Sequence, residues 1–429
     1  MHNDSNMMRL ARGECGIVPT YVHDEVTLNG VPLKRYQIVY AKTNQKFEKA
    51  IAEGLAARIV DLSGDVLAWC DDSAPETQYE ILIGDTVRSE ILESSADSVI
   101  SVRDSKLLLW GTNAYEVTLA QRDLLEALEN SLIRGDGKIK YTGDTSAKKR
   151  TNVSLMSYNF YGFHAYQTRM DNICRVITKY MPDIISIQEP DLAMMELTHI
   201  NLDGYYTYYN GRPRHGEDES NPPADAKGAN SVAPILYNTV RYRLISADTK
   251  WMSDTPDVVS KYESSEYYRH FSYVELEDRV TGARFVVVNL HLQRRTAVEQ
   301  MHIVFDHLNR KFNDVPVFLV GDFNSEADKP VLYQMREVAG FASAHDTAKK
   351  IRDGHNRIDW ILYTKDCADA NFYHCCTETY PDPDDRKGYY NGRTPSDHFA
   401  FYAEVEIETG KTVAHDWSEA AVWTPPVEQ

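Results

Sequence analysis

Short apolar runs in the second half of the chain end in acids, amides or histidines. The clearest run spans 315–320 and is continuously apolar, which predicts a strand covered on both faces. Gly321 is expected to end this strand, and Asp322 and Asn324 follow it. Side chains at alternate positions of an extended backbone point the same way, so this acid and this amide leave the strand end together. Similar endings occur at residues 184–189, 286–291 and 395–398.

Residues 20–148 are predicted to form a small accessory α/β domain. The apolar periodicity indicates strands at 35–41, 79–83, 98–103 and 106–110, and helices at 44–59 and 113–132. This β-α-β-β-β-α order predicts a small sheet with helices packed on it. The polar, glycine-containing stretch 135–150 is predicted to be a linker to the next unit.

Residues 152–409 are predicted to form the second and larger unit. Further strands are predicted at 153–158, 183–188, 235–237, 271–277, 285–289, 357–363 and 398–407, and helices at 166–181, 296–312 and 331–339. The charged, proline-containing stretch 210–230 is predicted to be a surface loop. Residues 410–429 are predicted to be an extended tail.

The bulk properties favour two soluble domains and a small substrate. A chain of 429 residues is too long for one ordinary core. Its net charge is −18, from 46 basic and 64 acidic residues, and no basic stripe interrupts this acidity. Proteins that follow a long nucleic-acid backbone usually carry such a stripe. A long nucleic acid is therefore a less favoured partner than a small phosphate-bearing molecule.

Targeting signals are not evident in the sequence as given. The first fourteen residues are polar, and no run of eighteen apolar residues occurs, so no transmembrane segment is expected. The six cysteines lack the spacing of a zinc site and the density of a disulfide scaffold. These features predict a cytoplasmic location for this sequence, or an extracellular one if a signal has been trimmed.

The polar residues at the predicted strand ends share a chemistry. They are carboxylates, amides and histidines, namely Asn159, Glu189, Asn289, His291, Asp322, Asn324, Asp359, Asp397 and His398. This mixture suits a hard cation such as Mg²⁺ or Mn²⁺, whereas zinc would need more histidine or cysteine. The implied chemistry is metal-assisted hydrolysis of a phosphoester. Any one of these residues alone is more often a turn former or a helix cap.

The order of these motifs resembles the endonuclease/exonuclease/phosphatase superfamily. The motifs are Ser157-Tyr158-Asn159, Gln188-Glu189, Asn289-Leu290-His291, Gly321-Asp322-Phe323-Asn324, Arg357-Ile358-Asp359 and Ser396-Asp397-His398. Residues 251–256 and 268–270 are most similar to the bacterial metal-dependent hydrolase branch. The resemblance covers residues 152–409 and implies the deoxyribonuclease I-like fold, a four-layer α/β/β/α sandwich with the site at one end.

The resemblance also implies roles for individual residues. Glu189 would be the principal metal ligand, with Asn159 and Asp397 near the metal. Three further implied roles concern the phosphate and the attacking water: Asp322 would position or deprotonate water, Asn324 would hold a phosphate oxygen, and His291 would stabilise charge. His398 would be a general base or electrostatic partner oriented by Asp359, and the choice between His398 and Asp322 as base stays open. Asn289 and Arg269 are expected to contact substrate.

Two alternatives stay open beside a phosphodiesterase or phosphatase acting on a sugar, lipid-headgroup or nucleotide phosphate. One is a sequence-independent nuclease. The other is a non-catalytic protein that binds glycans or a partner, because residues 20–148 resemble the small α/β domain that precedes the barrel of some glycoside hydrolases. We expect that first unit to be a scaffold or a partner surface. Tyrosines at 205–209, 380 and 389–390 are candidates for a substrate-binding rim.

Overall fold

The computed structural model describes most of the chain. The described residues are 16–17, 25–89, 96–162, 166–202, 205–211, 232–354, 357–377, 395–409 and 414–426. The predicted surface loop at 210–230 lies almost entirely outside them, as do the candidate rim tyrosines 380, 389 and 390.

Strands and helices alternate along the described chain. The strands are β1 Gly16–Ile17, β2 Thr27–Leu28, β3 Val31–Pro32, β4 Gln37–Tyr40, β5 Trp69–Asp71, β6 Glu80–Ile83, β7 Ser98–Arg103, β8 Lys106–Gly111, β9 Lys138–Ile139, β10 Asp144–Ser146, β11 Val153–Asn159, β12 Ile184–Gln188, β13 Thr207–Tyr209, β14 Ile235–Tyr237, β15 Tyr242–Trp251, β16 His270–Asp278, β17 Arg284–His291, β18 Val317–Asp322, β19 Phe341–Ser343, β20 Lys350–Ile351, β21 Asp359–Thr364, β22 Ala368–Cys376 and β23 Ala400–Ile407. The α-helices are α1 Gln45–Ser63, α2 Ala114–Arg134, α3 Tyr166–Tyr180, α4 Leu192–Leu202, α5 Ala297–Lys311, α6 Pro330–Tyr333 and α7 Ala344–Thr347. Two 3₁₀ turns at Leu33–Arg35 and Lys42–Asn44 and a π-helical turn at Gln334–Val338 complete the set.

The first large sheet carries β11 and β12 at its centre. Within the described residues its order is β1-β20-β22-β23-β11-β12-β14-β13. β11 and β12 run parallel with Asn159 opposite Gln188, and β23 runs antiparallel to β11. Both central strands are buried along their whole length, which explains why apolar residues dominate them and why their serines are small enough to be enclosed. Polar residues at their carboxyl ends therefore emerge at one edge of the sheet.

The second large sheet carries β17 and β18 at its centre. The order of its described strands is β15-β16-β17-β18-β21-β19. β17 and β18 are parallel, and β21 returns antiparallel beside β18. Gly321 does not end β18 as predicted, because the strand continues through it to Asp322. A Cβ atom at Gly321 would lie 1.9 Å from the carbonyl oxygen of Leu290 on β17, so only glycine fits there.

The two large sheets stack face to face, with a helical layer outside each. Apolar side chains such as Leu155, Val287 and Phe318 fill the space between the sheets. Helix α3 covers the outer face of the first sheet, and α5 covers the outer face of the second. The predicted α/β/β/α sandwich is thereby confirmed.

The first unit is a separate sheet with helices on one face. Its described strands follow the order β10-β7-β8-β6-β4-β5, and α1 and α2 pack on the face lined by Ile38, Ile81 and Leu109. The predicted strand order missed β5. The predicted linker at 135–150 instead supplies β9, which pairs with β2, and β10, which pairs with β7.

The first unit packs its helices directly against α3. One continuous apolar cluster includes Leu55 of α1, Leu124 of α2 and Ile177 of α3. The helices α1 and α3 approach closely at Gly54, where a Cβ atom would lie 2.4 Å from the carbonyl oxygen of Thr178. Helices of the two units therefore form one shared layer. Whether this unit is a scaffold or a partner surface stays a prediction.

Two other expectations need correction. The predicted extended tail contains a turn and buries Trp417, whose indole Nε1 donates a hydrogen bond to the carbonyl of Ala339 (3.1 Å). Tyr205 and Tyr206, proposed as substrate-facing, are buried in the layer shared with the first unit. Tyr205 lies in a turn and Tyr206 directly precedes β13, and both side chains pack into the apolar cluster shared with the first unit. No helix in the described stretches combines the length and apolar character needed to cross a lipid bilayer.

Candidate active site

Three of the predicted site residues occupy neighbouring positions on adjacent strands. His291 on β17 is in register with Asp322 on β18, and Asp322 is in register with Asp359 on β21. Residues paired across a ladder present their side chains on the same face. The pairing of three strands therefore places an imidazole between the sheets next to two carboxylates.

The first sheet contributes the opposite wall. Asn159, at the end of β11, donates from Nδ2 to Oδ2 of Asp322 (3.1 Å) and so bridges the two sheets. Glu189 follows β12 with a φ of 55°, a left-handed conformation that is uncommon for a residue other than glycine. Its Oε1 lies 3.5 Å from Nε2 of His291. Asp397 and His398 enter from the segment before β23, where the Ser396 hydroxyl donates to the carbonyl of Asn159 (2.7 Å).

His398 is held between two carboxylates. Its Nδ1 lies 2.9 Å from Oδ2 of Asp359, and its Nε2 lies 3.8 Å from Oδ2 of Asp322. Burial lowers the pKa of His398, but Asp359 and then Asp322 outweigh burial and raise this pKa to about 10. Asp359 thus orients the ring and favours its protonated form in the absence of other ions.

The Asp322 carboxylate is almost wholly enclosed. Burial and the charge of Asp359 raise its pKa to about 7, although His398 and two hydrogen bonds oppose this rise. One of these bonds comes from the backbone N–H of Asn324 to Oδ1 (2.8 Å), and the other is the bond from Asn159. Asp322 is therefore fixed in orientation by both sheets.

His291 is neutral and has a defined tautomer. Arg269 can only donate hydrogen bonds, so its Nη1 donates to Nδ1 of His291 (2.8 Å) and leaves the ring proton on Nε2. Burial, with the positive charges of Arg269 and His398, holds the pKa of His291 well below its ordinary value. Its Nε2–H lies 3.6 Å from Asp322 Oδ2, and the Arg269 Nε has no hydrogen-bond partner among the described residues. The Nε2–H of His291 can donate to an oxyanion, and the Arg269 guanidinium adds a positive charge near Glu189 and Asp322.

Several side chains could hold a divalent cation. Asp322, Asp359 and His398 present ligand atoms within 4.8 Å of one another, but the His398 Nδ1 is already engaged by Asp359 and its protonated ring cannot bind a cation. Burial raises the pKa of Glu189, and despite the opposing charge of Arg269 the neighbouring Asp397 raises it further. The nearby Asn159 amide acts in the opposite direction and lowers this pKa. A carboxylate crowded by another carboxylate and an amide fits a hard cation with oxygen ligands.

Two asparagines that were predicted to contact substrate use their side-chain amides to bind other parts of the protein. Asn289 is buried, its Nδ2 donates to the carbonyls of Ile187 (2.7 Å) and Pro234 (2.9 Å), and its Oδ1 accepts from Gln188 (2.7 Å). The prediction that Asn289 contacts substrate conflicts with this geometry, because its amide joins the two sheets instead. Asn324 has a φ of 49° and donates from Nδ2 to the carbonyl of Leu292 (2.9 Å), so its orientation is also fixed by the protein.

Sequence reasoning missed the residue that fixes the segment before β23. Arg169 on α3 is buried and donates to the carbonyls of Phe160 (3.0 Å), Tyr161 (2.6 Å) and Pro395 (2.6 Å). It thereby ties the end of β11 to the segment that carries Asp397. The only available signal was a charged residue beside the apolar positions of a predicted helix, and that pattern is usual on a helix surface.

Three solved structures show the same fold. An endonuclease/exonuclease/phosphatase from Bacteroides vulgatus is 19% identical, covers 60% of this chain and 100% of its own, and has a TM-score of 0.51. A family protein from Bacteroides thetaiotaomicron is 22% identical over 60% of this chain and 98% of its own, with a TM-score of 0.52. A mannosyl-6-phosphatase from Bacteroides thetaiotaomicron VPI-5482 is 21% identical over 59% of this chain and 99% of its own, with a TM-score of 0.51.

The family assignment comes from the sequence match. A search of curated proteins gave no match. The model of the Endonuclease/Exonuclease/phosphatase family matches residues 156–398, more than half of the chain. This range includes every residue of the site described above. The chain therefore belongs to the endonuclease/exonuclease/phosphatase family.

Proposed function

We propose that the protein is a divalent-metal-dependent hydrolase that cleaves phosphoester bonds of a small phosphate-bearing substrate. The observation that carries this proposal is that a hydrogen-bond donor and two carboxylate acceptors converge at one point. Nε2 of His291, an N–H donor, lies 3.5 Å from a carboxylate oxygen of Glu189 and 3.6 Å from one of Asp322. Donors for an oxyanion thus stand beside acceptors for water and a cation.

Glu189, Asn159 and Asp397 would hold the cation, which we infer to be Mg²⁺ or Mn²⁺. When bound, such an ion neutralises the charge of the phosphate group. Asp397 is exposed, which fits a ligand at the open side of the site. The ion would also relieve the repulsion between Asp397 and the partly buried Glu189 carboxylate.

Asp322 and His398 would orient the attacking water. The Asp322 Oδ2 and the His398 Nε2 lie 3.8 Å apart, a separation that allows both to hydrogen-bond one water molecule. Asp359 keeps His398 in the required orientation through Nδ1 (2.9 Å). The distances suit either residue as the proton acceptor, but His398 could accept a proton only after losing the one that Asp359 stabilises, so the base is not assigned to one of them.

His291 and Arg269 would stabilise the negative charge that develops on the phosphate. Arg269 holds the Nε2–H of His291 towards the site, and its own guanidinium adds positive charge. Donors fixed before the reaction begins lower the barrier because they need no reorganisation. Asn324, held against Leu292, is placed beside Asp322 and could contact a phosphate oxygen.

The net charge of −18 supports a small substrate rather than a long nucleic acid. A neighbour of similar fold is a mannosyl-6-phosphatase, which makes a sugar phosphate one reasonable compound to test. Phosphomonoesters and phosphodiesters both suit the arrangement. None of the donors and acceptors described above distinguishes a phosphate with one ester bond from a phosphate with two.

A panel of substrates tests this proposal. The protein with Mg²⁺ or Mn²⁺ is assayed on 4-nitrophenyl phosphate, bis(4-nitrophenyl) phosphate, mannose 6-phosphate and supercoiled plasmid at two salt concentrations. We expect turnover of at least one small ester, loss of that turnover in His291→Gln, and retention in His302→Gln, a histidine that binds the Trp423 carbonyl instead. Plasmid nicking with no small-ester turnover would favour a nuclease, and no hydrolysis at all would favour a binding protein.

A further inference from the structure

A second polar cavity lies between the first unit and the first large sheet. It has a volume of about 440 Å³, and its walls include residues of α1, α2, α3 and β22. Asn152 and Ser154 line it at the start of β11, whereas Asn159 of the candidate active site ends that strand. Ser154 and Asn159 are five positions apart along this strand, or about 16 Å at about 3.3 Å per residue. The cavity is therefore distinct from the candidate active site.

The cavity is positively charged although the protein is acidic. Seven of the described lining side chains are lysine or arginine and three are glutamate. Three of these cations, Arg122, Arg150 and Lys179, already pair with Asp183, Asp123 and Asp61, which leaves an excess of one positive charge. The whole chain carries −18. Lys349 and Lys350 are exposed at the mouth, and Leu62, Leu125 and Phe372 add apolar wall. A positive cavity with some apolar surface suits an anion that has an organic part.

Two arginines in the cavity keep unused hydrogen-bond donors. The Nη1 atoms of Arg58 and Arg352 are buried and have no hydrogen-bond partner among the described residues. Arg58 Nη1 lies 3.8 Å from Asp61, and Arg352 approaches Glu129 through its other terminal nitrogen, Nη2, at 3.7 Å. These are ion-pair distances and are too long for a hydrogen bond. Unpaired buried donors are costly, so such groups usually have a partner.

The two guanidinium groups are also held in place. Arg58 lies over the ring of Tyr180 at 5.3 Å, and Arg352 lies over the ring of Phe372 at 5.9 Å. Burial and then the charge of Arg58 lower the pKa of Arg352 below its ordinary value, so these two cations oppose each other. The same charges, after burial, hold the pKa of His374 well below its ordinary value. An anion between the arginines would satisfy their donors and remove this repulsion.

We propose that this cavity binds a small molecule carrying a phosphate group. A phosphate monoester has a charge of about −1.5 to −2 at neutral pH and three acceptor oxygens, which matches two guanidinium groups and the lysines at the mouth. A single carboxylate supplies half of that charge. The ligand would contact both units at once, because Arg58 belongs to α1 and Arg352 follows β20. Its binding would therefore strengthen their association.

Calorimetric titration with inorganic phosphate tests the proposal on the full chain without added metal. Three variants are compared with the wild type: Arg58→Gln/Arg352→Gln in the cavity, Arg269→Gln/His291→Gln in the candidate active site, and Arg310→Gln on an exposed position of α5. A fourth variant, Lys349→Gln/Lys350→Gln, changes only exposed residues of the cavity. It tests the cavity even if the double arginine variant does not fold. Melting curves establish that each variant is folded, and citrate replaces phosphate in a parallel titration.

We expect phosphate to bind about ten-fold or more weakly when the cavity arginines are replaced, and measurably more weakly when the two lysines are replaced. The Arg310 variant and the active-site variant should retain a binding event of wild-type affinity. The proposal is overturned if phosphate does not bind, or if only the active-site variant loses binding. Tighter binding of citrate than of phosphate would also overturn it, because the cavity would then select carboxylates.

Discussion

The guanidinium of Arg269 donates a 2.8 Å hydrogen bond from Nη1 to Nδ1 of His291. Arginine has no acceptor, so this contact fixes the tautomer of His291 and turns its Nε2–H towards Glu189 and Asp322. Sequence reasoning assigned Arg269 only a contact to substrate. In the structure it also fixes the tautomer and the orientation of His291.

Arg269→Gln should lower kcat on the best small ester by about ten- to a thousand-fold, because the fixed donor at Nε2 and a positive charge are both lost. Arg269→Lys should recover part of this loss, since lysine donates as a point charge without the fork of arginine. Arg279→Gln, outside the site, is the matched control. A wild-type kcat in Arg269→Gln would mean that catalysis does not depend on the orientation of His291 by Arg269.

Asp359→Asn should lower kcat by about 10²–10⁴-fold with little change in KM, because His398 would lose the carboxylate that orients its ring. The chain offers a close control in Asp346, whose Oδ1 lies 2.7 Å from Nδ1 of His345 outside the site. Asp346→Asn should leave kcat near the wild-type value. Equal losses in the two variants would indicate a structural role for both aspartates.

Asp183→Asn should destabilise the fold. Asp183 is buried and accepts hydrogen bonds from Arg241 Nη1 (2.9 Å) and from the hydroxyl of Ser154 (2.7 Å). The substitution removes one carboxylate of this buried cluster but leaves Arg241 paired with Asp278 (2.8 Å), so we expect a cost of about 1–3 kcal/mol. Chemical denaturation at pH 6 should give a free energy of unfolding lower by that amount, and Asp369→Asn, which is exposed, should give no such change.

The same substitution should also change the pH dependence of stability. Burial alone would raise the pKa of Asp183, but Arg241 and Arg122 outweigh it and lower this pKa below its ordinary value. A lowered pKa stabilises the folded state above the unfolded value of about 4 and loses this effect as the pH falls through the folded value. The difference between wild type and Asp183→Asn should therefore shrink between pH 6 and pH 3. A difference that is constant or grows would contradict the charged state of Asp183.

Much of the candidate site could be predicted from the sequence because it depends on strand ends. A continuous apolar run locates a buried strand, and Asp322 follows that run directly after Gly321, at the strand end. The registers of β17, β18 and β21 are not encoded by any one of these strands, so the alignment of His291, Asp322 and Asp359 could be expected only from the family resemblance. The use of Asn289 as a link between sheets depends on the stacking and could not be predicted.

The arrangement of the first unit was less predictable for a related reason. The helices α1 and α2 have apolar faces that would suit either a free domain or a packed one. Their contact with α3 depends on Gly54, and a lone glycine within a helical pattern indicates only lower helix propensity. The burial of Tyr205 likewise depends on its partner Tyr115 in the first unit, whose ring centroid lies 6.5 Å away.

Gly54→Leu should loosen the contact between α1 and α3. Its Cβ would lie 2.4 Å from the carbonyl oxygen of Thr178, which is backbone and cannot turn away. Overpacking of this kind costs about 1–3 kcal/mol or more, and thermal unfolding should begin at a lower temperature. Val60→Leu, at an exposed position of the same helix, should leave the melting curve unchanged. An unchanged melting curve for Gly54→Leu would mean that the two units are not packed as described.

The most direct measurement is the metal dependence of ester hydrolysis by the wild type and by Glu189→Gln. Metal-stripped protein is assayed on the best small ester while MgCl₂ or MnCl₂ is added, with Glu196→Gln as an exposed glutamate control. We expect no turnover without metal, saturable activation in the wild type and in Glu196→Gln, and almost none in a folded Glu189→Gln. Full turnover by metal-stripped wild type, or wild-type turnover by Glu189→Gln, would contradict a metal-dependent site at Glu189.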